Sequence, residues 1–373
     1  MTEGPKRRLA VIFGSRSAEH EVSLASAQSV VGALDPERYE VITIGIDKGG
    51  RWHFLSALPP AGVPGELPSV EHGSGQPVAL SKEPGDAALV TGDGSRTEID
   101  VVLPLLHGPY GEDGTVQGML ELAGVPYVGA GVLASAVGID KAVQKVLFTA
   151  AGLPVIEHEV VLEPEWEADR PGVRERAERL GLPVFVKPAT LGSSVGITKV
   201  KRWEDLPGAV EEALSYARKA LIERSAEDAR EIECAVLGND DPVASVPGEI
   251  LPGPDAEFYD YRAKYLEEGT RLEIPARLPP DATELVRQMS IAAFRAIDCA
   301  GMARVDFFYR EPGEVIVNEI NTIPGFTPGS MYPRLWEASG LSYPDLIDRL
   351  VDLAIERHQK EQKKGRSFGP PPA

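Results

Sequence analysis

Cysteine is almost missing: Cys234 and Cys299 are the only two in 373 residues. They stand far apart and in no metal-ligand spacing, which excludes a disulfide framework and a zinc site and points to a reducing cytoplasm. Both read as small buried hydrophobes. Long apolar runs are missing too. None approaches the ~18 residues that a bilayer span requires, and Met1 to Arg8 lead into a strand with no signal-peptide core, so neither membrane insertion nor export is expected. Basic residues are in deficit, 38 against 57 acidic ones, for a net charge of -19. A field of that sign repels nucleic acid and anionic membrane alike, so neither is an expected partner. A polyanionic small molecule needs lysines gathered locally.

What is present is an ordinary globular balance, 43% hydrophobic and 25% charged residues, at a length that suits two or three domains. Strand signals alternate with helical ones, the pattern of α/β architecture. Leu9 to Phe13 reads as a buried strand, Ala18 to Gly32 as a helix and Val41 to Asp47 as the next strand. From Ser56 to Glu98 the chain is rich in Pro, Gly and Ser and reads as loop with one short strand around Val78 to Leu80. Asp100 to Leu106 is a continuous apolar strand ending in a Gly-rich loop, before a helix from Thr115 to Leu122. This first third predicts a parallel sheet with ligand-facing loops at its strand ends.

A second unit begins near Gly129-Ala130-Gly131. It carries helices at Asp140 to Ala151 and Trp203 to Ala220, and strands at Val155 to Leu162, Pro183 to Lys187, Ile197 to Val200 and Leu221 to Glu223. A third carries strands at Ile232 to Leu237 and Val243 to Leu251, a long loop from Asp255 to Thr270, a helix from Asp281 to Asp298, an acidic hairpin and two closing helices. The tail from Gln359 to Ala373, charged and then Pro-rich, reads as disordered.

In the hairpin, Gly301 to Phe308 and Val315 to Asn321 flank the turn Glu311-Pro312-Gly313-Glu314. If it is symmetric about Pro312-Gly313, Asp306 lies opposite Glu319 and Arg304 opposite Asn321, all on one face. Opposed carboxylates repel, and here they extend a stripe, Val315 and Val317, that reads as buried. A bound divalent cation reverses that penalty. Two carboxylates and an amide suit Mg²⁺ or Mn²⁺, whose remaining positions water and phosphate oxygens fill. The implied substrate is a nucleoside triphosphate; the alternative is a solvated face that happens to be acidic.

The second unit supplies the missing positive charge. Lys187 ends an apolar strand, where its ammonium can leave the sheet and meet phosphate, and Lys141 opens a helix. A surface lysine that merely snorkels is the alternative for Lys187. After it comes Ala189-Thr190-Leu191-Gly192-Ser193-Ser194-Val195-Gly196, a small-residue loop able to aim backbone N–H groups and hydroxyls at phosphate oxygens. It is not the Walker loop, which ends in Gly-Lys-Ser/Thr before a helix. Gly192-Ser193-Ser194-Val195-Gly196 also fits the G-x-S-x-G elbow of serine hydrolases, but a strand follows it and His358 is the only later histidine.

Two long signatures complete the picture. His107-Gly108-Pro109-Tyr110-Gly111-Glu112-Asp113-Gly114-Thr115-Val116-Gln117-Gly118 is one, and Gly301 to Gly325, with Arg304-Val305-Asp306 and Asn318-Glu319-Ile320-Asn321-Thr322-Ile323-Pro324-Gly325, is the other. Ser17-Ala18-Glu19-His20-Glu21-Val22-Ser23, Lys187-Pro188, Tyr259 to Tyr265 and Thr327 to Pro333 accompany them. Over nearly the whole chain the sequence resembles the D-alanine-D-alanine ligases of the ATP-grasp superfamily.

That resemblance implies an α/β chain with the ATP-grasp fold: an N-terminal substrate-binding parallel α/β domain at 1–129, and two α+β domains, at 130–225 and 226–358, enclosing the nucleotide, with 359–373 as a disordered tail. It implies ATP, two Mg²⁺ (or Mn²⁺) ions and two D-alanines as ligands, a homodimer, and peptidoglycan precursor synthesis in the cytoplasm. One D-alanine carboxylate takes the γ-phosphoryl group, and the amine of the second displaces phosphate from the acyl phosphate.

The roles carried over follow the motifs. Asp306 and Glu319 would hold one metal, and Glu319 and Asn321 the other. Lys141 and Lys187 would neutralise phosphate, with Ser193, Ser194 and Lys264 at the same ligand. Glu223 and Glu231 would face adenine and ribose. Arg304 would reach the transferring phosphoryl group and, with the Gly325 N–H, the oxyanion; an ion pair to the hairpin carboxylates is its structural alternative. Glu19 would pair with the first D-alanine's ammonium, near His107. Ser330, with Met331 and Lys264, would receive the second D-alanine, unless Ser330 is only a helix N-cap. Phe258 to Gly269 reads as a lid that Tyr265 shuts through Ser193 and Glu19. Ser15 departs from a frequent glycine and either tightens its loop or does nothing. A D-alanine-D-serine ligase and a non-catalytic ATP-grasp nucleotide-binding protein remain the alternatives.

Overall fold

The structure, a computed structural model, describes residues 5–17, 19–59, 69–71, 73–81, 83, 85–192, 195–251, 253 and 271–364. Among these the strands form three sheets. The first runs, edge to edge, through Arg96–Glu98, Ala88–Thr91, Gln76–Leu80, Trp52–Leu55, Tyr39–Ile46, Arg7–Gly14 and Val101–Pro104. Among its strands, parallel pairing is confined to Arg7–Gly14 and its two neighbours, with one isolated parallel bridge from Val102 to Tyr127. Leu9 to Phe13 are fully buried because both faces of this strand are covered. Leu9, Val11 and Phe13 join one hydrophobic cluster, with Leu24 and Val30 of helix His20–Ala33. Ala10 and Ile12 join another, with Leu120 of helix Thr115–Ala123.

Two expectations for this region are corrected. The sheet is mixed, since the strands beyond Tyr39–Ile46 are antiparallel. The stretch from Ser56 to Glu98 carries the one short strand expected there, at Gln76–Leu80, and two more, Ala88–Thr91 and Arg96–Glu98, that were read as loop. Those two are too short for their alternation to stand out from the Pro, Gly and Ser around them.

The second sheet is antiparallel throughout, in the order Thr198–Val200, Val184–Pro188, Lys219–Arg224, His158–Leu162. Helices Arg170–Glu178 and Leu206–Tyr216 cover it with Val173, Ala177, Val210 and Ala213. The single helix expected over Trp203 to Ala220 is shorter: a turn of 3₁₀ helix at Trp203–Asp205 precedes Leu206–Tyr216, and the strand starts at Lys219. Helices Val132–Ile139, Glu163–Ala168 and Arg170–Glu178 went unread in the sequence.

The third sheet orders Arg271–Glu273, Gly248–Leu251, Arg230–Gly238, Gly301–Arg310 and Glu314–Asn321, with Val243–Ala244 also on Arg230–Gly238. The expected strand Val243 to Leu251 is split around Pro247, which has no N–H for a ladder. Helix Pro280–Ala296 packs on one face through Val286, Ala293 and Phe294. Helices Met331–Ala338 and Tyr343–Gln362 seal the other and also meet the first sheet, as Trp336, Leu346 and Leu350 share a cluster with Leu9 and Phe13. The last helix runs through Gln362, past the expected start of the tail at Gln359, and Lys360 pairs with Asp240 at 2.8 Å. The remainder of that tail, 365–373, and the lid at Phe258 to Gly269 lie outside the described residues.

Candidate active site

The hairpin closes differently from the symmetric expectation, and two departures cancel. Arg310 pairs with Glu314, so the turn is Glu311 to Gly313, and beside it Phe308 faces Ile316 and Phe307 faces Val317. Carried on, that register would set Asn318 against Asp306 and turn Glu319 into the core beside Val305. A bulge intervenes. Asn318 is skipped, and beyond it Asp306 faces Glu319 and Arg304 faces Asn321. The expected stripe is overturned, because the bulge reverses the alternation. Val315 and Val317 lie with Ile320 in the hydrophobic cluster, on the face away from Glu319 and Asn321.

On the polar face, Glu233 of strand Arg230–Gly238 faces Asp306 from the other side, so three carboxylates cross three strands in one row. Cations hold the row together. Arg304 donates from Nε and Nη2 to Asp306 at 2.7 Å each, and its Nε lies 2.9 Å from Glu233. Asn321 Nδ2 donates to Asp306 Oδ2 at 3.0 Å. Lys141 Nζ lies 2.9 Å from Glu319 Oε2 and donates to the Leu191 carbonyl at 2.9 Å. Burial opposes charge on Arg304 and Lys141, but Asp306 and Glu319 outweigh it and raise both pKa values. Arg304 is thus an ion-pair partner in this structure, whatever else it does.

Lys187 does not snorkel. Its side chain is 10% exposed and its ammonium pairs with Glu223, whose other oxygen takes Lys145 at 2.7 Å. Burial pushes the Glu223 pKa up, but Lys145 and Lys187 prevail and bring it down to about 2. A cavity of about 500 Å³ is lined by Lys141, Lys187 and Glu223, by Asp306 and Glu319, and by the apolar Phe185, Ile197, Ile232 and Phe307. Glu231 lines it as well, from the strand register opposite Phe308. Among the described residues no three His, Cys, Asp or Glu side chains already converge as a metal site; the hairpin offers two carboxylates and an amide.

A second group of expected residues gathers where the first sheet's loops meet the Gly/Ser loop. Glu19 occupies the N-cap position of helix His20–Ala33 without capping it. Gly108 has φ +77°, and a Cβ there would stand 2.9 Å from Glu19 Oε2, so only glycine lets this loop approach the carboxylate. A Cβ on Gly192 would stand 3.3 Å from the same oxygen. Ser15 does tighten its loop: its hydroxyl lies 2.7 Å from Ser17 Oγ, which donates to the His107 carbonyl at 2.7 Å.

His107 ties the two signatures together. Its Nδ1–H donates to the Ile323 carbonyl at 3.1 Å, leaving Nε2 toward Ser26 Oγ at 3.4 Å. Burial lowers its pKa, and the nearby Glu19 charge only partly offsets this. Further along, Ser330 Oγ does not cap its helix. It accepts from the Thr327 N–H at 3.2 Å and would lie 3.1 Å from a Cβ on Gly325, so the pair expected at the oxyanion and the second substrate are neighbours. Met331 buries its side chain in the core, leaving its backbone for any ligand. Ser193, Ser194, Lys264 and Tyr265 lie outside the described residues.

Four residues of this site were missed. Lys145 and Gln144 follow Lys141 on helix Lys141–Ala150, and the i, i+4 spacing of the two lysines was the available signal. Glu233 follows Glu231 by the period of a strand and so shares its face. Glu112, inside the first signature, accepts the Gly108 N–H at 2.6 Å. Burial and the Glu19 charge push its pKa up to about 8.

The chain matches the family models for the D-ala D-ala ligase N-terminus at residues 8–130 and C-terminus at residues 147–352. It is 49% identical over 365 residues to the D-alanine-D-alanine ligase of Thermoanaerobacter sp. (strain X514), covering 95% of this chain and 98% of that one. The D-alanine-D-alanine ligase of Geobacillus thermodenitrificans (strain NG80-2) is also 49% identical, over 96% and 98% of the two chains. Among solved structures, the D-alanine-D-alanine ligase from Coxiella burnetii superposes with a TM-score of 0.83 at 40% identity, covering 96% of this chain and 97% of that one. The VanG D-Ala:D-Ser ligase from Enterococcus faecalis does so with a TM-score of 0.81 at 33% identity, covering 94% of this chain and 100% of that one. The fold is therefore the ATP-grasp fold, and the chain belongs to the D-alanine-D-alanine ligase family.

Proposed function

We propose that the chain joins two D-alanines into D-alanyl-D-alanine with ATP, as a cytoplasmic step of peptidoglycan precursor synthesis. The observation that carries this reading is one cavity lined both by the buried lysines Lys141 and Lys187 and by the opposed carboxylates Asp306 and Glu319, in a chain of this family. The hairpin fits hard divalent cations, because its donors are all oxygens and their mutual repulsion already demands positive charge. Asp306 with Glu319, and Glu319 with Asn321, would hold two Mg²⁺ or Mn²⁺ ions, which supply charge neutralisation at the triphosphate.

The chain's own residues do the rest. Lys141 and Lys187 exchange carboxylate for phosphate oxygens, so neither ammonium is left buried without an anion. Glu223, still paired with Lys145, stays an acceptor for the adenine amino group, and Glu231 serves the ribose. Glu19 takes the ammonium of the first D-alanine in the space that Gly108 and Gly192 leave. That substrate's carboxylate attacks the γ-phosphate. Arg304 and the Gly325 N–H stabilise the negative charge that develops when the second amine attacks the acyl phosphate. Ser330, the Met331 N–H and Lys264 hold the second carboxylate, while Ser193, Ser194 and Tyr265 belong to the closing flap and lid.

Of three units, 1–129, 130–225 and 226–358, the second and third line this cavity, and the first brings Glu19 beside Gly192 of the Gly/Ser loop. The active form is a homodimer, for which Leu122, Val132, Leu133, Val143 and Val146, exposed on successive helices, offer apolar surface. The likeness to the VanG D-Ala:D-Ser ligase keeps D-serine as a second reading for the amine substrate. One assay separates the two: phosphate release and product mass with ATP, D-alanine and D-serine supplied together. D-Alanyl-D-alanine is the expected product. D-Alanyl-D-serine would select the second reading, and no release dependent on D-alanine would leave only a nucleotide-binding module.

A further inference from the structure

Lys145 has a side-chain exposure of 0%, and none of the steps above touches it directly. An ammonium so placed loses its hydration, and burial lowers its pKa. Its contacts explain why the fold keeps it. Besides Glu223, it donates to the Asn318 carbonyl at 3.3 Å, and Asn318 is the skipped residue of the hairpin bulge. Gln144, beside it on the helix, donates from Nε2 to the Ile320 carbonyl at 3.2 Å and accepts the Ile320 N–H at 3.1 Å. Those are the two bonds a strand partner would make. Lys141, one turn earlier, takes Glu319 itself. A single helix thus grips residues 318, 319 and 320 in succession.

We propose that Gln144 and Lys145 are positioning residues that hold the bulge at Asn318 and so keep Glu319 on the same face as Asp306. The inference rests on the reading of Asp306 and Glu319 as metal ligands. The alternative register sends Glu319 toward Val305 and the apolar cluster, and a bulge bends and loosens its strand. Contacts from outside the hairpin are what select one arrangement. Loss of the grip leaves the carboxylate of Glu319 wandering relative to Asp306, and a metal site tolerates that poorly.

The test compares ADP affinity with Mn²⁺ and with EDTA by calorimetry on the full chain, for wild type, Lys145→Met and Gln144→Met. The ratio of the two affinities isolates the metal contribution. Both variants are expected to lower that ratio by about ten- to a hundredfold, the usual effect of removing a group that orients a metal ligand. Gln144→Met leaves the Lys145–Glu223 pair intact and carries the test alone if Lys145→Met does not fold. An unchanged ratio beside a lower melting temperature would overturn the inference while leaving the metal reading in place. A wild type whose ADP affinity ignores Mn²⁺ would overturn both.

Discussion

Around the cavity at the hairpin, Asp306 and Glu319 of the hairpin and Glu223 of strand Lys219–Arg224 each meet a cation, and Arg304 and Lys141 hold their protons more tightly than usual despite burial. In the loop after Val101–Pro104 the outcome reverses: burial pushes His107 down and, with the Glu19 charge, Glu112 up to about 8. Both regions are enclosed. The difference lies mainly in whether an opposite charge stands within hydrogen-bond reach, and Lys145, which shares Glu223 with Lys187, shows that one shared anion does not fully repay desolvation. On the proposed reading, the hairpin end is a set of ion pairs to be exchanged for phosphate and metal, and the loop end a set of neutral, hydrogen-bonded groups around Glu19, to which the first D-alanine's ammonium would bring its own charge.

The largest expected effect breaks the charged end. Glu319→Gln removes the carboxylate shared by both proposed metals and leaves Lys141 without its anion, so turnover should fall by more than ~10³-fold, several kcal/mol of transition-state stabilisation. A variant keeping a tenth of the activity at saturating Mg²⁺ would sink the assignment. Next comes Lys187→Met. Loss of one charged hydrogen bond to phosphate, about 1.5–3 kcal/mol, should raise the KM for ATP roughly 10- to 100-fold with little change in KM for D-alanine. Equal changes for both substrates would mean that the site, rather than the nucleotide contact, was lost.

Glu112→Gln sharpens the comparison from the neutral end. The folded-state pKa of about 8 lies above the ordinary 4.5. The native state therefore binds more protons than the unfolded one between those values, and Glu112 lowers stability as pH rises through that window. The variant should gain melting temperature relative to wild type on going from pH 5 to pH 8; a difference independent of pH would show that Glu112 is not held neutral. The smallest effect belongs to Ser15→Ala, which deletes the hydroxyl bridge to Ser17 and should cost about 0.5–1.5 kcal/mol in denaturant unfolding. It should raise the KM for D-alanine before that for ATP, and the reverse order would detach this loop from the first substrate.

Legibility followed distance along the chain. The strand Leu9 to Phe13, the helix after it and the strand bearing Lys187 were readable because each is a local period of apolar residues. Pairing of Asp306 with Glu319 was also read, but through a symmetric turn and an unbroken stripe, neither of which exists. Short antiparallel strands at Ala88–Thr91 and Arg96–Glu98 left no comparable trace, since they exist by pairing with each other.

The sequence by itself determined the residue types of the site, the motifs that group them, the family and the alternation of strands and helices, all of which are written in short windows. Only the tertiary structure decided where the hairpin bulges, that Glu233 completes the carboxylate row and that Lys145 lies beneath Glu223. It also decided that His107 bonds to Ile323. Each of these depends on segments far apart in the chain meeting in a dry interior, where a polar group must find its partner among whatever the fold brings near.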